Sequence, residues 1–477
     1  MVSRLHPKSE DGHIAALKEQ FEVPPTQVDV MSSDRHLIFD SNETPSAVGE
    51  GNVITLDIPG CSSGSFYDLG QSYILVKGSF TSAVAVDNTQ NGNVAPVHGW
   101  ASRFFNRCDF SMGSVSVVEN FSEYGVASYF DSLIHRTKSE LDGCGIEEGW
   151  LTPDYSQNSA TTGEVYNTTT STPVSVPSST LRSHYLLGAA GGSRPTVSFR
   201  VVPLGPWKDC AVPSDVPLRL RLTRAKVAEF TFGSDRATVA LGFTMTSCQA
   251  YMTRIALSPD ADRALLQHMS KHPWLIKHNR VRQMTQSFAA GVQEMQVRNA
   301  LQGPMPEKIL VWTADETELA SGSDSKSFIF QLDNALQGST TNRLAVGASE
   351  IRVRVGDREI PLRGFEINSG VQSGQSLGVS QFARVKDTAA LMQAIREISV
   401  NPKDAAINDL LYTNVRCYAF DCSLFQQGML DPIEEGTQIQ VTMKLTNATA
   451  TRRTLGVISW TPSIIEIHKD RTVTVDT

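Results

Sequence analysis

The densest grouping of metal-ligand side chains is His268, His272 and His278. His268 and His272 stand at i, i+4, which puts two imidazoles on one face of a helix. No glutamate follows His268, so the zinc-hydrolase pattern is absent. Arg263, Lys271, Lys277, Arg280 and Arg282 crowd the same stretch, and positive charge opposes a bound cation. The cluster reads as a basic contact or a solvated face, and no metal ligand is assigned. Phosphate and acyl chemistry fare no better. There is no GxxxxGK[ST], no GxSxG and no GxGxxG that follows a strand. Gly188-Ala-Ala-Gly-Gly192 lacks a lysine and reads as a turn. The carboxylates are dispersed, so none can be paired as acid and base. No catalytic residue, cofactor-binding residue or cofactor is assigned, and the expectation is a protein that is not an enzyme.

Seven cysteines, Cys61, Cys108, Cys144, Cys210, Cys248, Cys417 and Cys422, are scattered with no CxxC. Cys417 and Cys422 are five apart, which would place them on opposite faces of a strand. They read as reduced thiols acting as small buried hydrophobes. The first twenty residues hold no apolar signal core, so synthesis inside a cell without secretion is expected. The sequons at Asn42, Asn120, Asn167 and Asn447 are then unused. No run approaches ~18 consecutive apolar residues, the length of a spanning helix.

Lys and Arg number 42 against 50 Asp and Glu, a net charge of −8, which argues against binding nucleic acid by bulk electrostatics. The most basic stretch holds Arg263, Lys271, Lys277, Arg280, Arg282 and Arg298. A solvated loop or a subunit contact is preferred there to a nucleic-acid interior. The chain of 477 residues has length for several domains of ~100–200 residues each.

The elements that must carry these residues have mostly a period of two. In Val216–Leu222, Leu218, Leu220 and Leu222 share one face and Arg219 and Arg221 the other. Those arginines read as protection of a sheet edge. Ile439–Leu445, Val53–Ile58 and Ile351–Val355 alternate as cleanly. Further strands are expected at Ser72–Phe80, Thr196–Val202, Ala240–Ile255, Lys308–Thr313, Lys326–Leu332, Val415–Phe420, Leu455–Trp460 and Ile464–His468. One buried and one polar face is the pattern of antiparallel sheets. Many short strands with long polar connections predict an all-β jelly roll or other sandwich.

Helices are few. Ser122 caps one through Ile134, Ser258-Pro259 opens another to about Lys271, and Asp387 or Thr388 caps a third through Ile398. Residues 1–20 form a polar arm, expected to be flexible. Tyr155–Thr180 is rich in Ser and Thr and reads as an exposed loop. A break at Gly233-Ser-Asp235 divides the chain into 21–235 and 236–477, each the size of one eight-stranded sandwich with long loops.

Several segments together resemble the major capsid proteins of Polinton/Maverick elements and adintoviruses, in the double jelly-roll (hexon-like) lineage. They are Phe21-Glu-Val-Pro-Pro-Thr-Gln27, Asp68–Lys77, Lys308–Thr313, Val353–Asp357, Cys417-Tyr-Ala-Phe-Asp421 and Ile464-Ile-Glu-Ile467 with Asp470-Arg471. The Ser/Thr-rich insertion at 155–180 departs from that pattern. The resemblance implies two consecutive jelly rolls, 21–235 and 236–477, with a few short helices in loops. It implies a homotrimer whose six sandwiches form a pseudo-hexagonal capsomer of an icosahedral virion. Partners would be the chain itself, neighbouring capsomers, and minor capsid or penton proteins, with no specific nucleic-acid site. Other readings are a penton, fibre or lectin-like surface module, and a β-sandwich enzyme.

Overall fold

A computed structural model describes residues 30–86, 94–97, 99–118, 124–150, 186, 194–207, 210–232, 239–298, 300, 306–315, 348–355, 358–366, 388–401, 403–405, 417–422, 438–445 and 452–475. The arm 1–20, the segment 21–27, the loop 155–180 and the expected strand 326–332 lie outside the described residues, as does Ser122.

Among the described residues, the sixteen strands of four or more residues fall into two sets of eight. The first set is β1 Val30–Asp40, β2 Val53–Ile58, β3 Ser65–Thr81, β4 Phe105–Met112, β5 Val115–Val118, β6 Thr196–Val201, β7 Leu218–Arg224 and β8 Gly242–Leu257. The second is β9 Trp274–Phe288, β10 Glu294–Val297, β11 Lys308–Asp315, β12 Ala348–Val355, β13 Arg358–Glu366, β14 Cys417–Asp421, β15 Ile439–Leu445 and β16 Arg453–Ile467. The first set forms the sheets β1-β8-β3-β6 and β2-β7-β4-β5. The second forms β9-β16-β11-β14 and β10-β15-β12-β13. The two sets have the same order, position by position, and every pairing between these strands is antiparallel. Two consecutive eight-stranded sandwiches were expected, and two are found.

β8 lies beyond the break expected at Gly233–Asp235, yet it pairs with both β1 and β3. Tyr251 sits opposite Tyr73, and Ile38 opposite Tyr251. The first set of strands therefore runs through Leu257. The expected edge role of Arg219 and Arg221 is also corrected. β7 lies inside its sheet, between β2 and β4, and Arg219 reaches across to Asp57 at 2.5 Å.

The alternation seen in sequence sets each core. Ile54, Leu56 and Ile58 of β2, Leu218, Leu220 and Leu222 of β7, and Cys108, Phe110 and Met112 of β4 are all buried. They face Ile74, Val76 and Phe80 of β3 and Phe199 and Val201 of β6. In the second sandwich Ile351, Val353, Ile439, Val441 and Met443 do the same. Burying each such side chain contributes about 1.5–3 kcal/mol.

Strand direction alternates along each set, so connections after odd strands gather at one end and those after even strands at the other. The long connections 82–104, 119–195, 316–347 and 367–416 all follow odd strands. The tight turn at 113–114 follows an even one.

Among the described residues the connections hold the helices α1 Tyr124–His135, α2 Lys138–Gly143, α3 Pro259–Met269 and α4 Thr388–Ile398, besides a four-residue helix at Trp100–Arg103. Ser258 caps α3 through the Ala261 N–H at 3.2 Å, with Pro259 in its first turn. Thr137 and Glu140 form a reciprocal capping box on α2. α1 and α4 stand in equivalent places, each between the fifth and sixth strands of its set.

Candidate functional site: the buried seam between the sandwiches

α1 is buried along nearly its whole length, from Tyr124 through Ile134. An amphipathic surface helix leaves one face in water. α1 does not, because it lies between the two sandwiches. β16 shows what covers it. From Ser463 to Ile467 the odd residues are buried, while Pro462, Ile464 and Glu466 on the even face are exposed or half-buried. From Arg453 to Thr461 both faces are buried. β9 pairs with β16 residue for residue, so Trp460 and Ile458 share the outer, even face. There Trp460 meets α1.

The contact is polar at its centre. The Trp460 Nε1–H donates to Asp131 Oδ1 at 2.9 Å, both groups being buried. His135, one turn along α1, brings Nδ1 to the same oxygen at 2.9 Å. Its ring stands edge-on to the Trp460 indole, centroids 5.7 Å apart. A buried carboxylate without partners would be costly, and Trp460 and His135 both serve this one. Beside it, Gly456 makes room for Trp312. A Cβ on Gly456 would fall 2.1 Å from the Trp312 ring.

Backbone contacts extend the seam toward the end with the long connections. The Val400 N–H donates to Ile134 O at 2.9 Å, and the Lys138 N–H to Asp404 O at 2.9 Å. The Asp404 carboxylate accepts from the Ser139 N–H at 3.3 Å. Hydrogen bonding from Ser139 holds that carboxyl below its usual range. Arg136 clamps Glu148 through both guanidinium nitrogens, at 2.8 and 3.0 Å.

A second group of contacts closes the opposite end. Arg471, beyond β16, donates to Ser214 Oγ at 2.9 Å and lies 3.8 Å from Asp215. The Trp274 Nε1–H donates to Ala211 O at 3.0 Å. Ser214 and Asp215 belong to the β6–β7 connection, whereas Ile134 and Lys138 belong to the β5–β6 connection. Each end of one sandwich thus meets the like end of the other. The two stand side by side in the same orientation.

The residues singled out for chemistry are dispersed. His268 and His272 are exposed on and just after α3, with ring centroids 5.4 Å apart. His278 is on β9, where burial and the nearby Arg280 push its pKa down to about 4. Among the described residues, no group of three or more His, Cys, Asp and Glu is arranged to hold a metal ion. Arg263 pairs with Asp260 at 3.5 Å on the exposed side of α3, while Arg280 and Arg282 lie half-buried on β9. All seven cysteines are free, and only Cys144 is exposed. Cys417 lies in β14 and Cys422 just past its end; both are buried. Burial pushes the thiols of Cys108, Cys210, Cys248, Cys417 and Cys422 up to about 12. Among the described residues no helix is long and apolar enough to cross a membrane.

The seam itself was missed in sequence, although a signal was present. Asp131 is the one carboxylate in the otherwise uncharged stretch Tyr124–Ile134.

No family model matches the sequence, and no curated protein matches it. Solved structures do match. A chain of the Sputnik virophage structure aligns with a TM-score of 0.59 at 10% identity, covering 100% of this chain and 92% of that one. The fold is the double jelly roll. The capsid of virus PBCV-1 aligns with a TM-score of 0.53 at 11% identity, over 96% of this chain and 98% of that one. The Faustovirus major capsid protein gives 0.52 at 11%, over 94% and 93%. In the double jelly roll the seam takes on a clear sense. The helix α1 and the Trp460–Asp131 bond join the two sandwiches, whose buried side chains form one continuous cluster.

Proposed function

We propose that this chain is a viral major capsid protein of the double jelly-roll lineage. It self-assembles into homotrimeric capsomers, and these tile an icosahedral shell around a DNA genome. The observation that carries this is the repeat. One chain holds two sandwiches of identical strand order, side by side in one orientation and locked at both ends. Three such blocks related by a threefold supply six sandwiches and a pseudo-hexagonal outline. A heterologous interface that closes after three copies builds this, whereas an isologous one does not. A permanent trimer of this kind buries well over ~2,000 Å².

The first jelly roll is residues 30–257 and the second 274–475, joined through α3. The arm 1–20 precedes β1, which starts at the end opposite the long connections. It contacts neighbouring capsomers or minor capsid and penton proteins on the inner side. Tyr155–Thr180 belongs to the β5–β6 connection and forms part of an outward tower. The role is structural and not catalytic. The protein is made inside the host cell and resides in the virion. A net charge of −8 suits a wall that does not itself condense nucleic acid. A penton or attachment module of this lineage needs one jelly roll, and two complete ones are present.

Expression of the full chain, imaged by negative stain, tests the reading. Hexagonal capsomers or closed shells are expected. Separate monomers under every assembly condition would refute it. Removal of residues 1–20 should spare the capsomers and impair shells; normal shells would remove the arm from the account.

A further inference from the structure

The hairpin that follows β16 grips the base of the first jelly roll, the end at which its even-numbered strands finish. The chain turns back at 468–472 into a short strand, Val473–Val475, which pairs with residues 465–467. The His468 N–H donates to Thr472 O and the Arg471 N–H to His468 O, both at 2.9 Å. A three-residue loop closed in this way puts its last residue in the left-handed region, where glycine or asparagine is usual. The sequence places Arg471 there, at φ +66°. Its side chain shows what the exception serves. One guanidinium nitrogen donates to Ser214 Oγ at 2.9 Å and lies 3.8 Å from Asp215 Oδ2, and the other lies 3.6 Å from Met269 Sδ. Asp215 is itself at φ +66°. Gly60 packs so closely on it that a Cβ there would fall 2.7 Å from the Asp215 carbonyl carbon. Val473 is buried, and a Cβ on Gly113 would lie 3.7 Å from its Cγ2. The hairpin thereby meets the β4–β5, β6–β7 and β8–β9 connections, and through Asp215 the β2–β3 connection. Of the three non-glycine residues with positive φ among the described residues, two face each other in this one contact.

We propose that this hairpin is a clasp that opens and closes while both jelly rolls stay folded, releasing and regripping the base of the first. Two observations set it apart from the rest of the seam. Its polar contacts are partly in water. The Arg471 side chain is 20% exposed and that of Asp215 59%, whereas Trp460 and Asp131 at the other end are buried. A pair so exposed contributes little, so the Ser214 hydrogen bond and the packing of Val473 hold the clasp shut. Against them stand the two left-handed residues, a backbone cost that persists only while the surrounding contacts enforce it. A short strand at the end of a sheet, opposed by backbone strain, belongs to the low-stability part of a fold, where local opening precedes global unfolding. α3 and the bond from Trp274 to Ala211 keep the two jelly rolls tethered when the clasp is open. The clasp is a property of the single chain and stands without the capsomer reading. On that reading its use is to let the two base ends shift at the inner side, so that one chain fits flat and bent parts of a shell.

Hydrogen exchange of the full chain, read by mass spectrometry, tests this. In the wild type, segments 211–216 and 468–475 should take up deuterium together and faster than 453–460, which is buried on both faces. Equal rates in all three would overturn the clasp, whether or not the variants fold. Arg471→Gly gives the turn the residue it prefers and removes the grip. If the hairpin were only a turn, its exchange would slow. The clasp predicts about tenfold faster exchange in both segments, with 453–460 unchanged. Asp215→Gly relieves strain and gives up only an exposed pair, so both segments should slow by about threefold or more. Unchanged or slower exchange in Arg471→Gly, or faster exchange in Asp215→Gly, overturns the proposal. So does a change confined to one of the two segments. The light-scattering mass of the same sample judges the capsomer reading separately.

Discussion

Trp460 and Asp131 lie 329 positions apart in sequence and share a buried hydrogen bond of 2.9 Å, indole nitrogen to carboxylate oxygen. One belongs to β16 of the second jelly roll and the other to a helix of the first. The bond is the polar centre of the seam between the two sandwiches.

Replacing that donor is the most direct probe of the seam. Trp460→Phe leaves the Asp131 carboxylate with one partner fewer in a dry site. A hydrogen bond to a charged group contributes about 1.5–3 kcal/mol, so unfolding stability should fall by about that much. Urea denaturation followed by circular dichroism reads it. A midpoint equal to wild type would show that the bond does not hold the seam.

Gly456 admits no side chain. Its would-be Cβ lies 2.1 Å from the Trp312 ring, and that ring lines the covered sheet face. Gly456→Ala forces the indole out of place, at a cost of about 1–3 kcal/mol. The thermal midpoint should drop, and the tryptophan emission should shift to the red. Unchanged emission and midpoint would mean that Trp312 has another place to go.

His278 makes stability depend on acid. Its pKa in the fold is about 4, against an ordinary 6.5, mainly through burial and then through the charge of Arg280. Between these values the unfolded chain binds a proton that the folded chain refuses. The contribution is therefore full above pH 6.5 and is lost as pH falls toward 4, on the order of 2–3 kcal/mol. His278→Gln should flatten that part of the stability curve. Parallel curves for wild type and variant between pH 4 and 6.5 would contradict the assignment.

Thiol reactivity follows from burial. Six of the seven cysteines are buried, and Cys144 is exposed. Burial that raises thiol pKa values to 11–12 leaves almost no thiolate at neutral pH. A thiol reagent should modify one site per folded chain and seven after unfolding. Cys144→Ser should abolish the fast site. Two or more fast sites in the native protein would place a second cysteine at the surface.

Much of this fold is legible in sequence wherever a strand has one wet face. Leu218, Leu220 and Leu222 alternate with Arg219 and Arg221, and β7 follows. Ser258-Pro259 starts α3 where capping chemistry says it must. The reading fails where tertiary pairing overrides local pattern. β16 is buried on both faces over Arg453–Thr461, so its period is erased, and Pro462 splits it into two expected strands. It is one strand, Arg453–Ile467. β11 pairs with it only as far as Trp460, so one side of β16 lacks a ladder partner at Pro462, where a residue without an N–H is tolerated. The break at Gly233–Asp235 misleads for a related reason. β8 closes the first jelly roll by pairing with strands more than a hundred residues earlier, and nothing local announces it. The seam was beyond reach by the same argument, since a lone aspartate in an apolar helix names no partner. Arg219 and Arg221 show the converse. Their exposure was legible, but whether β7 is an edge depends on its neighbours.

The central claim is that the chain trimerises into a block of six sandwiches. The mass of the purified protein by light scattering tests it most directly. The account predicts three times 52.1 kDa, stable to dilution. A stable monomer of 52.1 kDa, or a pentamer, would contradict it.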